Sequence, residues 1–202
     1  MLDILVPGIL GPEHSFQVIA YKGTGRIPAG LNPNSDPAKR MLLDQLPRLL
    51  KGYGRSLAYS PSAVIVVCDL DDRCLKAFRA ELLAVLDACE PCPPTRFCIA
   101  IEEGEAWLLG DLTAVQMAYP KAREQCLRSY VNDAICGTWE ALADAVYPGG
   151  AATLKSHGGQ AVGAEKSRWA AAIAPHMDPA ANRSASFNYF FNKLRELAQV
   201  RG

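Results

Sequence analysis

Residues 64–72 read Val-Ile-Val-Val-Cys-Asp-Leu-Asp-Asp, and this stretch decides the fold. Its first half is a run of β-branched residues, which is typical of a strand buried on both faces in a parallel sheet. Its second half places three carboxylates where that strand has to end. Ligands of open α/β sheets bind at the carboxyl ends of the strands. The stretch therefore predicts a strand and also the position of a site.

The two aspartates nearest to this strand suit a metal ion. Asp69 and Asp71 are two residues apart, and extended backbone points such residues to the same side. Carboxylate oxygens on one side of a strand end are ligands that Mg²⁺ or Mn²⁺ prefers. The alternative is that Asp71 or Asp72 caps the next helix, and Asp72 is the residue that we expect to do so.

Strand and helix patterns alternate around this stretch. Residues 15–21 have the composition of a strand, residues 73–89 have the apolar spacing of a helix, and residues 96–101 form another buried strand pattern. A helix is also expected at residues 2–10, where Pro7 limits or kinks it. Another is expected from Pro37 onward, with Ser35 or Asp36 as its cap and a kink at Pro47. This order predicts an α/β fold with a mainly parallel sheet flanked by helices.

Acidic residues also follow the second buried strand, as Glu102-Glu103-Gly104-Glu105. Parallel strands end at one edge of a sheet, so Asp69, Asp71, Glu102 and Glu105 can surround one or two hard cations. Such a site can drive displacement at phosphorus. The alternative, compatible with the first, is that Glu103 and Glu105 begin a helix whose dipole favours them. Trp107 is expected in the core rather than as a stacking platform.

The second half of the chain has a different sequence pattern from the first. No further strand is convincing after Asp111, and Ser184 and Ser186 have the character of caps for the last helix. We expect a helical region that covers or extends the sheet, with helices at residues 112–119, 122–131, 139–146, 163–174 and 186–200.

Composition excludes several classes of protein. Lys plus Arg equals Asp plus Glu, at 21 each, so the overall charge argues neither for nor against nucleic acid. No apolar run approaches the roughly 18 residues of a membrane span, and the first residues lack the features of a signal peptide. A cytoplasmic location is expected. Cys89 and Cys92 form a single CxxC pair, which lacks the second pair that a zinc site needs.

Three basic residues are candidates for binding a substrate phosphate. Lys22 and Arg26 flank the glycine-rich turn Lys-Gly-Thr-Gly-Arg, which fits neither a dinucleotide fingerprint nor a Walker loop. A plain turn is the favoured interpretation of that stretch. Lys166 lies in a helical segment together with Arg168. Both can reach phosphates, although solvated helix charges are the simpler interpretation.

The arrangement of acids resembles the Toprim domain, through Asp69-Leu70-Asp71 and through Glu102-Glu103-Gly104-Glu105-Ala106-Trp107. More narrowly, the chain is similar to an uncharacterised bacterial family of Toprim-like proteins that is often encoded beside an AAA-type ATPase. Further matching stretches cover nearly the whole chain: residues 21–28, Leu108-Leu109-Gly110-Asp111, Gly163-Ala164-Glu165-Lys166 and Ser184-Ala185-Ser186-Phe187.

The resemblance implies a Mg²⁺-dependent nuclease, similar to the overcoming-lysogenization-defect nucleases and active in phage defence. Residues 1–111 would form the Toprim-like core, with residues 112–202 as a helical region packed on it. The metal ligands would be Asp69, Asp71 and Glu102, with Glu105 as a further catalytic residue. Nucleic acid would be the substrate and the ATPase a partner, with self-association also open. The alternative is a non-catalytic binding or regulatory subunit with a degenerate site.

One departure from the Toprim pattern lies at the start of the chain. Toprim domains carry a glutamate after their first strand, ahead of the first helix, and Met1 already lies where that helix is expected. Either the sequence starts late, or this member lacks part of the site. We therefore expect weak or absent nuclease activity from residues 1–202, which an upstream strand with its glutamate would raise.

Overall fold

A parallel pair of strands lies at the centre of the computed structural model, which describes residues 1–31, 40–134 and 137–199. Strands β1 (Val64–Asp69) and β2 (Thr95–Ala100) pair with Asp69 opposite Ala100, so both end at the same edge. Helix α3 (Leu75–Asp87) is the crossover that parallel pairing requires. The predicted α/β fold is confirmed as a helix-rich protein with a two-stranded parallel sheet within the described residues.

Helices make up most of the remaining chain. Ahead of the sheet lie α1 (Leu2–Leu10) and α2 (Leu42–Ser56), which continue through Pro7 and Pro47. Short 3-10 turns occupy Ala29–Leu31 and Ala174–His176. The helices after the sheet are α4 (Glu105–Leu109), α5 (Leu112–Ala118), α6 (Glu124–Ser129), α7 (Thr138–Val146), α8 (Gly150–Ser156), α9 (Gly159–Ile173) and α10 (Ala185–Gln199).

The strand predicted at residues 15–21 is not formed, and that prediction was wrong. Phe16 and Ile19 are 43% and 44% exposed. At the end of this segment the backbone bonds elsewhere, since Lys22 N donates to the carbonyl oxygen of Arg40 at 3.0 Å. β-Branched and aromatic residues favour a strand where neighbours receive them. Residues 15–21 have no paired strand among the described residues.

The start of α3 also differs from the expectation. Its N-cap residue is Cys74, no side chain caps the helix, and Asp72 is exposed. The prediction that Asp72 caps this helix was therefore wrong. The physical reason is the turn that the chain makes at Asp71, where φ is 54°. This turn places the first helical residue, Leu75, too far along the chain for Asp72 to reach its amide groups.

Of the two caps expected for α10, Ser184 is confirmed, because its Oγ accepts a hydrogen bond from Phe187 N at 3.0 Å. Ser186 lies inside α10, so the prediction that it caps this helix was wrong. This is the N-cap geometry in which a side-chain oxygen satisfies a free amide of the first turn. The cap proposed for Ser35 or Asp36 lies outside the described residues, as does the expected start at Pro37.

Apolar residues of the sheet alternate between two cores. Val66 and Cys68 face one core, with α2, α3 and Phe97, whereas Ile65 and Val67 pack against the other. This alternation is the period-two geometry of strands. The second core joins α1, β2 and the helices that follow the sheet. The sheet is thus covered on both faces. The domain boundary at residue 111 stays a prediction.

None of the described helices is long and apolar enough to cross a membrane. The cysteines that the structure describes are all free. Burial raises the pKa of the Cys68 thiol and that of the Cys98 thiol to about 12, which keeps both protonated and unreactive.

Candidate functional site

Backbone hydrogen bonds continue beyond the carboxyl ends of β1 and β2. Leu70 N donates to the carbonyl oxygen of Ala100, and Asp71 N donates to that of Glu102, each at 2.9 Å. Asp71 and Glu102 both have positive φ, 54° and 59°, a region that residues with a Cβ rarely adopt. Both chains therefore turn sharply at this edge, and neighbouring carboxylates leave it in different directions.

Three carboxylates meet around one ammonium group there. Lys166 Nζ, from α9, lies 3.1 Å from Glu103 Oε1 and 3.1 Å from Glu105 Oε2. Asp69 interacts electrostatically with all three of these groups. Its Oδ1 lies 3.9 Å from the position that a Cβ on Gly104 would take. We refer to Asp69, Glu103, Glu105 and Lys166 as the acidic cluster.

Negative charge exceeds positive charge in the acidic cluster, and the pKa values reflect this. Burial, followed by the charge of Glu105, raises the pKa of Asp69 to about 7, although Lys166 opposes the shift. Burial also raises the pKa of Glu103. Burial alone would lower the pKa of Lys166, but Glu105 and Glu103 outweigh it and raise that pKa. The two glutamates thus keep the ammonium of Lys166 protonated, while burial favours the neutral form of Asp69 and of Glu103.

Glu102 is turned away from this cluster, toward the start of α7. Its carboxylate accepts hydrogen bonds from Gly137 N and Thr138 N, both at 2.7 Å, and from the hydroxyl of Thr138. A carboxylate at a helix N-terminus satisfies free amides and the positive end of the dipole. Two carboxylate oxygens are thereby committed to α7.

Asp71 lies at the rim of the site. Its side chain is exposed, and its charge adds to the factors that raise the pKa of Asp69. The structure therefore brings Asp69 and Glu105 together, with Asp71 nearby, and directs Glu102 elsewhere. The catalytic and metal-binding roles predicted for these four residues stay predictions.

The predicted phosphate-binding residues occupy two different places. Lys22 and Arg26 are exposed on the glycine-rich turn. This turn lies beside the end of β1, because an Arg73 side-chain nitrogen donates to the carbonyl oxygen of Gly25 at 3.1 Å. Lys166, in contrast, is an ion-paired member of the acidic cluster, so it is not a solvated helix charge. Its role toward a substrate stays a prediction.

The carboxylate oxygens of the acidic cluster are chemically suited to bind a hard divalent cation. Glu103 Oε2 is buried and has no hydrogen-bond partner among the described residues, so one carboxylate oxygen lacks its counterpart. Asp69 and Glu105 supply further oxygens of the kind that Mg²⁺ prefers. No three His, Cys, Asp or Glu side chains in the described ranges are arranged as a metal site, however. Lys166 supplies the positive charge in this structure.

A polar network surrounds Trp107, which follows Glu105 by two residues in α4. Trp107 is fully buried, as expected, and its Nε1 donates to Ser186 Oγ at 2.9 Å. Asp133 accepts hydrogen bonds from the hydroxyl groups of Ser184 and Ser186, at 2.8 and 3.0 Å. Sequence reasoning assigned no role to Asp133, and assigned Glu103 only to a helix start. The motif around Lys166 was the available signal, since it indicated that a distant helix contributes to this site.

Fold and site together define a helix-rich α/β protein whose two parallel strands deliver carboxylates to one edge. The family model described as "Domain of unknown function (DUF4276)" matches residues 46–195 of the 202-residue chain, and the chain belongs to this family. The match confirms the expected membership of an uncharacterised family. No curated protein and no solved structure matches the chain.

Proposed function

We propose that this protein is a metal-dependent nuclease or phosphoesterase of the Toprim type. The observation that carries the proposal is the excess of negative charge in the acidic cluster, at the edge where the ligands of α/β sheets bind. Asp69 ends β1, whereas Glu103 and Glu105 follow β2, and the single ammonium of Lys166 offsets only part of their negative charge. Carboxylates collected in this way are typical of sites that handle phosphate through a divalent cation.

Within this proposal, Asp69, Glu103 and Glu105 hold the cation, which is Mg²⁺ or Mn²⁺, and Asp71 contributes from the rim. Such an ion, when bound, polarises a phosphoryl oxygen and activates water. Lys166 carries the positive charge closest to the carboxylates, and in this proposal it contacts a substrate phosphate. Lys22 and Arg26, on the turn next to β1, bind phosphates further from the reacting group. Glu102 holds α7 against the strand ends.

The test is a cleavage panel with the full chain on DNA, RNA and tRNA in Mg²⁺, Mn²⁺ and EDTA. We expect weak metal-dependent cleavage that Asp69→Ala and Glu105→Gln abolish. Asp72→Ala is the matched control, because it removes an exposed carboxylate from the same turn. Cleavage that persists in EDTA or in Asp69→Ala would contradict the proposal.

We further propose an AAA-type ATPase as partner and a role in phage defence, on the strength of the Toprim resemblance. Co-purification from the native operon should recover both proteins, and the cleavage panel repeated with the ATPase should show higher activity. Recovery of this chain alone as a fully active monomer would count against the partner. Light scattering after gel filtration reports any self-association.

A second candidate function is a non-catalytic binding or regulatory subunit. The observation that favours it is the double ion pair of Lys166, which already neutralises part of the acidic cluster. Under this candidate, Lys166→Met should unfold more easily and gain no Mg²⁺ binding in calorimetry. Under the enzyme proposal, removal of the ammonium increases the affinity for Mg²⁺. The same titration thus separates the two candidates.

A further inference from the structure

Helix α2 carries a row of positive charges on its outer face. Arg48, Lys51 and Arg55 follow one another at intervals of three and four residues, which places them on one side of the helix. All three side chains are exposed. None of them forms an ion pair with an acidic residue of the described chain. Asp44, one turn earlier, accepts a hydrogen bond from Arg26 N at 2.9 Å.

The glycine-rich turn extends this row. Lys22 N donates to the carbonyl oxygen of Arg40 at 3.0 Å, and an Arg40 side-chain nitrogen donates to that of Ala20 at 2.7 Å. Lys22, Arg26 and Arg40 are exposed, and they too lack an acidic partner in the described residues. We refer to Lys22, Arg26, Arg40, Arg48, Lys51 and Arg55 as the basic face.

Aromatic rings lie among these charges. Burial and the neighbouring Tyr53 raise the pKa of Tyr21, and the charges of Arg40 and Arg48 oppose this rise, which shows that the four groups lie close together. Tyr21 and Tyr53 are partly exposed. Tyr59, just beyond the end of α2, is fully exposed at 103%. The ring of Tyr59 therefore has no role in packing, whereas those of Tyr21 and Tyr53 present only part of their surface.

The basic face borders the carboxyl end of β1, where Asp69 of the acidic cluster lies. Arg73 follows Asp71 by two residues, and its side chain donates to the carbonyl oxygen of Gly25 at 3.1 Å. The next residue in the chain is Arg26, a member of the basic face. A chain-like ligand bound along α2 and the glycine-rich turn would therefore arrive at the end of β1.

We propose that the basic face binds the phosphate backbone of single-stranded nucleic acid and leads the strand toward the acidic cluster. Unpaired cations along a helix fit a repeating anion, because each neutralised phosphate releases counterions. Exposed rings favour a single strand, whose unstacked bases can lie on aromatic faces. The inference rests on the proposed function for the direction toward the acidic cluster, but the binding itself is measured independently of cleavage.

The test is fluorescence anisotropy of labelled single-stranded DNA and RNA with the full chain in EDTA, where no metal-dependent cleavage occurs. The variant is Arg48→Gln/Lys51→Gln/Arg55→Gln. Loss of three contacts should reduce the salt slope by about 2 and the affinity in 0.1 M salt on the order of 100-fold, at about −0.7 per phosphate for a single strand. Tyr59→Ala should weaken binding roughly 5-fold or more if a base stacks on its ring.

The matched control is Lys76→Gln/Lys121→Gln/Arg183→Gln, which removes the same charge from three scattered and exposed positions. It should change the affinity less than about 5-fold, which is the value of a single phosphate contact in 0.1 M salt. Equal losses in both triple variants would overturn the inference. Tighter binding of duplex than of single strands, or binding only to anionic vesicles, would also overturn it. Strand binding without any cleavage leaves this inference standing and removes the proposed function.

Discussion

Replacement of Asp69 by asparagine should stabilise the protein at neutral and higher pH. The folded-state pKa of Asp69 is raised from 3.8 to about 7, by burial first and by Glu105 next. Because this pKa lies above the unfolded value, the folded state binds the proton more tightly. The carboxyl group of Asp69 therefore does not destabilise the folded state below about pH 4, and the free energy of unfolding falls as the pH rises toward 7. Asparagine keeps the shape and never carries the charge.

The size of the effect follows from the shift. About three pKa units correspond to about 4 kcal/mol at most, and because water reaches one side of Asp69 we expect about 2–4 kcal/mol. For a chain of this size that is a rise in the midpoint of thermal unfolding of about 6–12 °C. The effect should be present at pH 8 and vanish at pH 4.

Thermal unfolding of Asp69→Asn and the wild type, followed by circular dichroism at pH 4, 6 and 8, provides the measurement. Asp72→Asn is the control, and as an exposed substitution it should change stability by less than about 0.5 kcal/mol. Added Mg²⁺ should raise the midpoint of the wild type and leave that of Asp69→Asn unchanged. A variant less stable than the wild type at pH 8, or equally stabilised at pH 4 and pH 8, would refute the reasoning.

Substitutions at three further positions test the site and its surroundings. Lys166→Met leaves the acidic cluster without its ammonium, so stability at pH 8 should fall by about 2–3 kcal/mol, and less at pH 5; urea unfolding at both pH values measures this. Glu102→Gln weakens the contacts with the start of α7, so urea unfolding should show a loss of about 1–2 kcal/mol, and no loss would rule out the capping role. Trp107→Phe leaves Ser186 Oγ without its donor and removes ring volume, which should lower the free energy of unfolding by about 1–3 kcal/mol. Trp107→Ala should lower it further, and the reverse order would contradict a core role for Trp107.

The sequence by itself determined β1 and β2 and the edge at which both end. Residues 64–67 are β-branched and carboxylates follow at Asp69 and Asp71, a pattern that favours a buried parallel strand ending at a polar edge. The cap at Ser184 could also be predicted from the sequence, because an N-cap depends on a neighbour three residues away. Local chemistry decides features of this kind.

The tertiary structure alone decided which carboxylates face one another. Glu102 and Glu103 are adjacent in sequence, yet the positive φ of Glu102 sends its side chain to α7, whereas Glu103 joins Lys166. Spacing along a strand could not show this, because side-chain direction after the strand end depends on the turn. The strand predicted at residues 15–21 failed for a similar reason, since residues with high β-propensity form a strand only where another strand supplies hydrogen bonds. Long-range partners decided both outcomes, and no local pattern encodes them.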